Sequence, residues 1–175
     1  MAKARTAKPS RSSGRTTRGA KKNALALLRA DHETVTELFE RFEKQKEKGA
    51  SRQLQALATE ICNEVKIHAQ IEEEIFYPAV REHCEECEDL LDEADVEHAS
   101  AKSLIAEIET ESDDHFAARV TVLGEYIKHH VKEEQNELFP KVRESDIDLE
   151  ALGEQLEIRK RELKGERVLV DRAAD

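Results

Sequence analysis

The stretch IKHHVKEEQNELFP, residues 127–140, repeats the pattern of KIHAQIEEEIFYP, residues 66–78. Each copy has a histidine, a glutamate four residues later and a proline six residues after that. These positions are His68, Glu72 and Pro78 in the first copy and His130, Glu134 and Pro140 in the second. A spacing of four residues places the histidine and the glutamate on one face of a helix. The repeat therefore predicts two helices with the same inward-facing pattern.

The duplication extends beyond these two helices. From residue 23 onward, apolar residues recur at alternating spacings of three and four, which is typical of an amphipathic helix. The first such stripe is Leu25, Leu28, His32, Val35, Phe39 and Phe42, and it recurs at an offset of 66 as Leu91, Ala94, His98, Ala101, Ile105 and Ile108. The helix that begins near Ser51 recurs at an offset of 62. Two hairpins with one apolar face each predict an all-α, up-and-down antiparallel four-helix bundle.

Composition agrees with a helical domain. The chain has 175 residues, of which 38% are charged and 4% aromatic, with only six Gly and three Pro. This length suits one ordinary domain. We predict that residues 23–145 form the bundle and that residues 146–175 form a short C-terminal helix followed by a frayed end.

The first 22 residues differ sharply from the rest. They hold eight Lys or Arg and no acid, which leaves 20 basic against 39 acidic residues in the remainder. Because this segment has almost no apolar content, we predict a disordered basic tail. A solvated tail is the favoured interpretation, and an arm that binds nucleic acid or another polyanion is the alternative. A transit peptide is a further alternative, although the segment lacks the Leu or Phe face of import helices.

Three cysteines, Cys62, Cys84 and Cys87, are an odd number in a chain long enough to fold without disulfides, which favours a reducing compartment. No apolar run approaches a membrane span and no signal peptide is evident. The sequence therefore predicts a cytoplasmic protein with no membrane association. In the segment HCEEC, residues 83–87, we expect two ordinary thiols, with an oxidisable dithiol as the alternative.

Six ionisable side chains lie on the predicted inner faces of the bundle. They are His32, His68, Glu72, His98, His130 and Glu134. A buried polar group without a partner costs about 1–3 kcal/mol and a buried ion costs more, so a domain could hardly hold all six unpaired. Imidazole and carboxylate ligands together suit iron, manganese or zinc. If two ions each take two histidines and share both glutamates, open coordination positions remain for a small ligand.

The other polar residues fit such a site less well. His129 lies about 100° around the helix from His130 and should point away from the centre. His83 and His115, together with Glu73, Glu74 and Glu133, are predicted to be solvated. Tyr126, one turn before His130, is a candidate proton donor, but packing is the favoured interpretation of this residue.

These motifs resemble a known family. DHETVTEL with HAQIEEEIFYP, followed by EHASAKSL with HHVKEEQNELFP, is similar to the hemerythrin-like family of HHE cation-binding domains over about residues 23–145. The resemblance implies a four-helix bundle around two non-haem iron ions with an oxo or hydroxo bridge, with zinc or manganese less favoured. It further implies that the four histidines are terminal ligands and that Glu72 and Glu134 are bridging carboxylates.

The sequence departs from the oxygen-carrying hemerythrins near the third-helix ligand. Those proteins have a fifth histidine one turn from it, whereas His98 has Ala94 and Lys102 at that spacing. The set of four histidines and two glutamates is closer to bacterial hemerythrin-like proteins and to iron-centre repair proteins. The repair proteins also carry an N-terminal cysteine-bearing domain, whereas the tail here contains no cysteine.

Three functions remain open from the sequence. The favoured one is a di-iron protein that binds or senses oxygen, nitric oxide, or iron and redox status. The second is an enzyme whose di-iron centre turns over peroxide or nitric oxide. The third is an interaction protein that binds a polyanion through residues 1–22.

Overall fold

A computed structural model describes residues 23–47, 51–110 and 114–166, apart from the side chain of Ser51. The predicted basic tail and the frayed C-terminal residues lie outside this part of the chain. Seven α-helices are described: α1 Ala24–Lys46, α2 Ser51–Ile71, α3 Tyr77–His83, α4 Glu88–Thr110, α5 Phe116–Glu133, α6 Phe139–Glu144 and α7 Leu149–Leu163. No helix in these ranges combines the length and the apolar character needed to cross a membrane.

Side-chain caps define where two of the helices begin. The Asn23 side chain accepts a hydrogen bond of 2.9 Å from the backbone N–H of Ala26 at the start of α1. The Asp148 side chain accepts from the N–H groups of Glu150 and Ala151 at the start of α7. Both caps satisfy donors that have no partner within a helix. The C-terminal helix predicted from the sequence is therefore present and begins at a defined residue.

The long helices form the predicted bundle. α1 packs against α2 and α5, and α4 packs against α5 and α2, so each hairpin lies against the other. This arrangement confirms the all-α, antiparallel four-helix prediction. α7 packs along α1 and α2. It therefore covers one side of the first hairpin.

Each copy of the repeated motif contains a π-helical turn that periodicity alone does not predict. The turns are Glu72–Phe76, between α2 and α3, and Glu134–Leu138, between α5 and α6. In the first turn the N–H of Tyr77 donates to the carbonyl of Glu72, five residues back. Pro78 and Pro140 follow these turns and cannot donate to a carbonyl four residues back. The wider turn lets the helix continue past each proline.

The wider turns also change which side chains face the core. Phe76 and Tyr77 are both buried although they are adjacent in sequence, and so are Leu138 and Phe139. A regular α-helix would direct one member of each pair about 100° away from the other. The π turns therefore bring an additional aromatic residue, Tyr77 or Phe139, toward the interior of each half.

The apolar core has two parts. One part holds Phe76, Tyr77 and Phe139 with residues from α7, and the other holds Val35, Phe42 and Val65 with residues from α4 and α5. The six predicted site residues are absent from both apolar clusters.

The expectation of two ordinary thiols in HCEEC is wrong, because Cys84 and Cys87 form a disulfide. A short 3₁₀ turn, Glu85–Cys87, follows α3, and the N–H of Cys87 donates to the carbonyl of Cys84 at 3.0 Å. This turn brings the two Cα atoms to 5.4 Å, within the usual range for a disulfide. Both cysteines are buried in the apolar core.

Candidate metal centre

The fold brings all six predicted site residues together between the four long helices. Their exposed fractions range from 0% for Glu72 to 8% for His68. The six residues are His32 from α1, His68 at the end of α2, Glu72 from the first π turn, His98 from α4, His130 at the end of α5 and Glu134 from the second π turn. The cluster therefore draws three residues from each half of the duplication.

The first half of the cluster is built around His32 and His68. Their Nε2 atoms lie 3.0 Å apart. A carboxylate approaches each ring: Glu134 Oε2 is 3.1 Å from His32 Nε2, and Glu72 Oε1 is 3.2 Å from His68 Nε2. One potential ligand atom from each of the four side chains falls within 4.8 Å of the other three. This spacing could enclose one metal ion.

The second half is built around His98 and His130, whose Nε2 atoms lie 3.2 Å apart. The other oxygen of Glu72 is 3.5 Å from His98 Nε2, and Glu134 Oε2 is also 3.6 Å from His130 Nε2. Glu72, His98 and His130 form a second group with the spacing of metal ligands. The Glu72 carboxylate thus lies between the two groups, with one oxygen toward each.

The carboxylate oxygens provide a test of whether this cluster suits a cation. Both oxygens of Glu72 and Oε2 of Glu134 are buried and lack a hydrogen-bond partner. Buried polar atoms without partners are rare and costly in proteins, and a bound cation satisfies such oxygens by coordinating them. The residues present therefore fit a pair of cations, although their role as metal ligands remains a prediction.

The two buried carboxyl groups of the cluster differ in their electrostatics. Burial opposes ionisation of Glu134, but its contacts with His32 and His130 lower its pKa to about 2. Burial raises the pKa of Glu72 well above its usual value, and the neighbouring carboxylate of Glu134 raises it further. Burial also lowers the pKa of the His68 imidazole to about 4. Both shifts favour uncharged side chains, because the interior solvates charge poorly. A cation would reverse the preference of Glu72 by neutralising its charge.

The outer nitrogen of each histidine faces a polar side chain. His98 Nδ1 is 2.9 Å from Glu73 Oε1, and His130 Nδ1 is 2.8 Å from Glu97 Oε2. An Nδ1–H that donates to a carboxylate leaves Nε2 unprotonated and directed toward the centre. Such outer contacts commonly hold metal-ligating histidines in one tautomer and orientation.

The outer nitrogens of the first histidine pair face polar side chains at the equivalent positions. His32 Nδ1 lies 3.0 Å from the amide nitrogen of Gln135, and His68 Nδ1 lies 3.6 Å from Asp31 Oδ2, which is too long for a hydrogen bond. The nitrogen and oxygen of this amide exchange places on a 180° rotation, and hydrogen bonding decides between the two orientations. In the rotated orientation the amide oxygen accepts a hydrogen bond from the Nδ1–H of His32. All four imidazoles can therefore present Nε2 to the cluster.

These outer residues follow the same duplication as the inner ones. Asp31 and Glu97 are related by the offset of 66, and Glu73 and Gln135 by the offset of 62. The two offsets could have revealed all four positions. The prediction that Glu73 is merely solvated is wrong, because its carboxylate bonds His98 and Lys102 and its pKa is lowered to about 2, chiefly by the hydrogen bond with His98.

The C-terminal helix also contributes to the outer contacts. Lys160 of α7 forms an ion pair with Asp31, the residue that faces His68. Burial opposes ionisation of Asp31, but its contacts with His68 and Lys160 lower its pKa overall. α7 therefore reaches the surroundings of the cluster as well as covering the bundle.

A tyrosine that sequence reasoning missed lies against one side of the cluster. The Tyr77 hydroxyl donates to Glu134 Oε1 at 3.1 Å and lies 3.3 Å from His98 Nε2. Its counterpart in the other half is Phe139, which stacks on His32 with ring centroids 5.8 Å apart. Tyr77 therefore places a hydroxyl group beside His98, whereas Phe139 places none beside His32.

Tyr126 is absent from the metal-ligand groups of the cluster. The residue is 50% exposed and lines a groove beside His98 and His130, so half of its surface packs against the protein. His129 points away from the centre as predicted, with a side chain that is 59% exposed. His83 lies near the end of α3 and its Nδ1 is 2.9 Å from Asp146.

Comparison with known proteins agrees with this architecture. Residues 23–142 match the hemerythrin HHE cation-binding domain family. A solved structure of a hemerythrin HHE cation-binding domain-containing protein from Mycobacterium kansasii shares the fold, with a TM-score of 0.68 and 24% identity, covering 82% of this chain and 88% of that one.

A curated relative named DNA nickase, from Nostoc sp., is 29% identical over 125 residues, or 69% of this chain. The match spans only 34% of that relative, about a third of its length. The family match, by contrast, covers most of this chain and includes all six residues of the cluster. The chain belongs to the hemerythrin HHE cation-binding domain family.

Proposed function

We propose that this protein holds two iron ions in the buried cluster and uses them to bind or sense a small molecule, either oxygen or nitric oxide, or to respond to iron and redox status. In this proposal His32 and His68 hold one ion, and His98 and His130 hold the other. Glu72 and Glu134 bridge the two ions. The observation that carries the proposal is the convergence of four imidazoles on buried carboxylate oxygens without hydrogen-bond partners.

The donor set favours iron over a single structural zinc ion. Six donors exceed the four that a closed zinc site uses, and carboxylate with imidazole ligands suits iron. Two ions that share both carboxylates would each have four protein donors, which leaves coordination positions open. When bound, such an iron pair supplies reversible binding of small ligands and one-electron redox change.

The space beside the cluster supports a very small ligand. A cavity of about 20 Å³ lies against the four histidines, and its wall includes Val35, Val65, Ala101 and Ile127. A single water requires roughly 10–15 Å³ of volume measured in this way, so the cavity itself has room for a molecule of one or two heavy atoms. Apolar side chains form much of its wall, and Lys66 and Lys102 also line it.

The test is metal analysis and optical spectroscopy of protein expressed with iron. We expect about two iron ions per chain, as the sharing of ligands described above requires, and an absorption band typical of non-haem iron. Both should be lost in the double variant His68→Ala, His130→Ala. The matched control is His83→Ala, a histidine outside the cluster. Iron content equal in the double variant and the control would refute the proposal.

A second candidate is catalytic turnover of peroxide or nitric oxide, and the Tyr77 hydroxyl favours it. This buried group contacts both Glu134 and His98 and could supply a proton to a ligand at that side of the centre. An enzyme should consume peroxide or nitric oxide faster than an equal amount of free iron. Tyr77→Phe should slow that turnover and also shift the absorption spectrum, because Glu134 loses its hydrogen bond. A sensor would instead show a ligand-dependent spectral change without turnover.

A third candidate is polyanion binding by the basic residues 1–22, which lie outside the described structure. Their charge supports it, and the name of the Nostoc relative, DNA nickase, gives a weak pointer to nucleic acid. Deletion of these residues should then abolish binding to DNA, and metal removal should leave it unchanged. A cytoplasmic location is part of the proposal for the whole protein.

A further inference from the structure

A second group of potential metal ligands lies on the surface beside the buried cluster. It consists of Glu97 from α4 with His129 and Glu133 from α5, and their ligand atoms lie within 4.8 Å of one another. The side chain of His129 is 59% exposed, whereas those of Glu97 and Glu133 are 22% and 27% exposed. An ion could therefore reach this group directly from solvent.

The distances within the group suit a divalent cation. His129 Nε2 lies 3.1 Å from Glu133 Oε1 and 3.6 Å from Glu97 Oε1. Neighbouring ligand atoms around an ion with bonds of about 2.0–2.2 Å are separated by roughly 3.0–3.5 Å, so little movement is needed. Two carboxylates and a neutral imidazole supply two negative charges. Carboxylate and imidazole ligands are suitable for Fe²⁺, Mn²⁺ and Zn²⁺.

Glu97 connects this surface group to the buried cluster. One of its oxygens faces His129, and the other is 2.8 Å from Nδ1 of His130. An open groove of about 320 Å³ is lined by Glu97 and His129 of the surface group and by His98 and His130 of the buried cluster. An ion on the surface group would thus be separated from the second histidine pair by a single side chain.

The sequence explains why this group exists in one half of the protein. The doublets His129–His130 and Glu133–Glu134 create two parallel His/Glu pairs on α5 and the turn that follows, one directed outward and one inward. In the first copy Ile67 occupies the position equivalent to His129. The duplication therefore does not require the outer pair, and the outer pair is a specific feature of the second half.

We propose that Glu97, His129 and Glu133 form a surface site for a divalent cation, and that this site receives Fe²⁺ before it enters the buried cluster at His98 and His130. Cation binding at the surface is independent of the proposed function. The transfer step rests on the proposed function, because it requires iron at the buried cluster.

The binding step is tested with Mn²⁺ on iron-loaded, full-length protein, by measuring the electron paramagnetic resonance signal of free Mn²⁺. We expect one Mn²⁺ bound per chain, and loss of this binding in His129→Ala and in Glu133→Gln. His83→Ala is the control. Glu97 is left intact because it also contacts His130. Equal Mn²⁺ binding by the parent and His129→Ala would overturn the surface site.

The transfer step is tested by the rate at which metal-free protein takes up Fe²⁺. Glu133→Gln should slow uptake on the order of tenfold, because it removes one of the two negative charges that attract Fe²⁺ to the surface group, without changing the final iron content. An unchanged rate would overturn the transfer role. The Mn²⁺ titration is repeated on Glu72→Leu, with and without His129→Ala. Weaker Mn²⁺ binding in the protein that also carries His129→Ala supports the surface site even if the buried cluster binds no iron. Failure of the surface site can therefore be distinguished from failure of the proposed function.

Discussion

The substitution Glu72→Leu should make the metal-free protein more stable and the iron-loaded protein less stable. Glu72 is fully buried, and neither of its carboxylate oxygens has a hydrogen-bond partner. Leucine has a similar volume and carries no charge. The histidines around it would still face one another, with Nε2 atoms 3.0 Å apart in one pair and 3.2 Å in the other.

The expected gain follows from the burial of that carboxyl group. A buried polar group without a hydrogen-bond partner costs about 1–3 kcal/mol, and an apolar side chain of similar volume removes that cost. At roughly 2–4 °C per kcal/mol for a domain of this size, the unfolding midpoint of metal-free protein should rise by roughly 2–12 °C. Iron at a hundredfold excess over its Kd should add about 2.7 kcal/mol per bound ion to the parent, and this increment should vanish in the variant.

The gain should also depend on pH, because the pKa of Glu72 is raised in the folded protein above its ordinary value of 4.5. Above pH 4.5 the folded chain retains a proton that the unfolded chain releases, so this group makes the parent less stable as pH rises. The variant lacks the group. Its advantage over the parent should therefore be small below pH 4 and should increase as pH rises above 4.5.

Chemical unfolding followed by circular dichroism measures these effects, with EDTA or with iron, at several pH values. Glu37→Leu is the matched control, since Glu37 lies on α1 and is exposed. A metal-free Glu72→Leu protein less stable than the parent would contradict the burial argument. Equal stabilisation of both proteins by iron would contradict a ligand role for Glu72.

Two further predictions concern the surroundings of the cluster. In a urea titration, Lys160→Met should lower the free energy of unfolding by about 1–3 kcal/mol, because Asp31 is buried and loses its cation. The control is Lys164→Met on the same helix, which removes a more exposed ion pair and should cost about 0–1 kcal/mol. Equal losses in the two variants would refute the role of burial. Reduction of the Cys84–Cys87 disulfide should lower the free energy of unfolding by about 2 kcal/mol from loop closure alone. The double serine variant should be less stable than the reduced protein, because both positions are buried and a hydroxyl group there costs further free energy. A midpoint that dithiothreitol leaves unchanged would contradict the loop-closure argument.

Much of the fold was predictable because it depends on patterns within single helices. The three-four spacing of apolar residues and the two offsets indicate four helices in two hairpins, and all six residues of the cluster lie on the predicted inner faces. The same reasoning missed the π turns. That reasoning assumes a regular α-helical period, whereas a wider turn precedes both Pro78 and Pro140.

The disulfide shows another limit of sequence reasoning. Two ordinary thiols were the favoured expectation for this segment, yet Cys84 and Cys87 are buried and joined by a disulfide in the turn between α3 and α4. Which apolar residues of other helices pack around these cysteines depends on the fold and not on their neighbours in the sequence.

The sequence by itself determined which helix faces turn inward, and with them the four histidines and the two glutamates. Only the tertiary structure decided which side chain meets which across the bundle: Tyr77 beside His98, Phe139 on His32, and Glu97 between the buried His130 and the exposed His129. The physical reason is that periodicity fixes the direction of a side chain around its own helix axis. The contacts between helices depend instead on their relative height and rotation, which packing of the whole core sets.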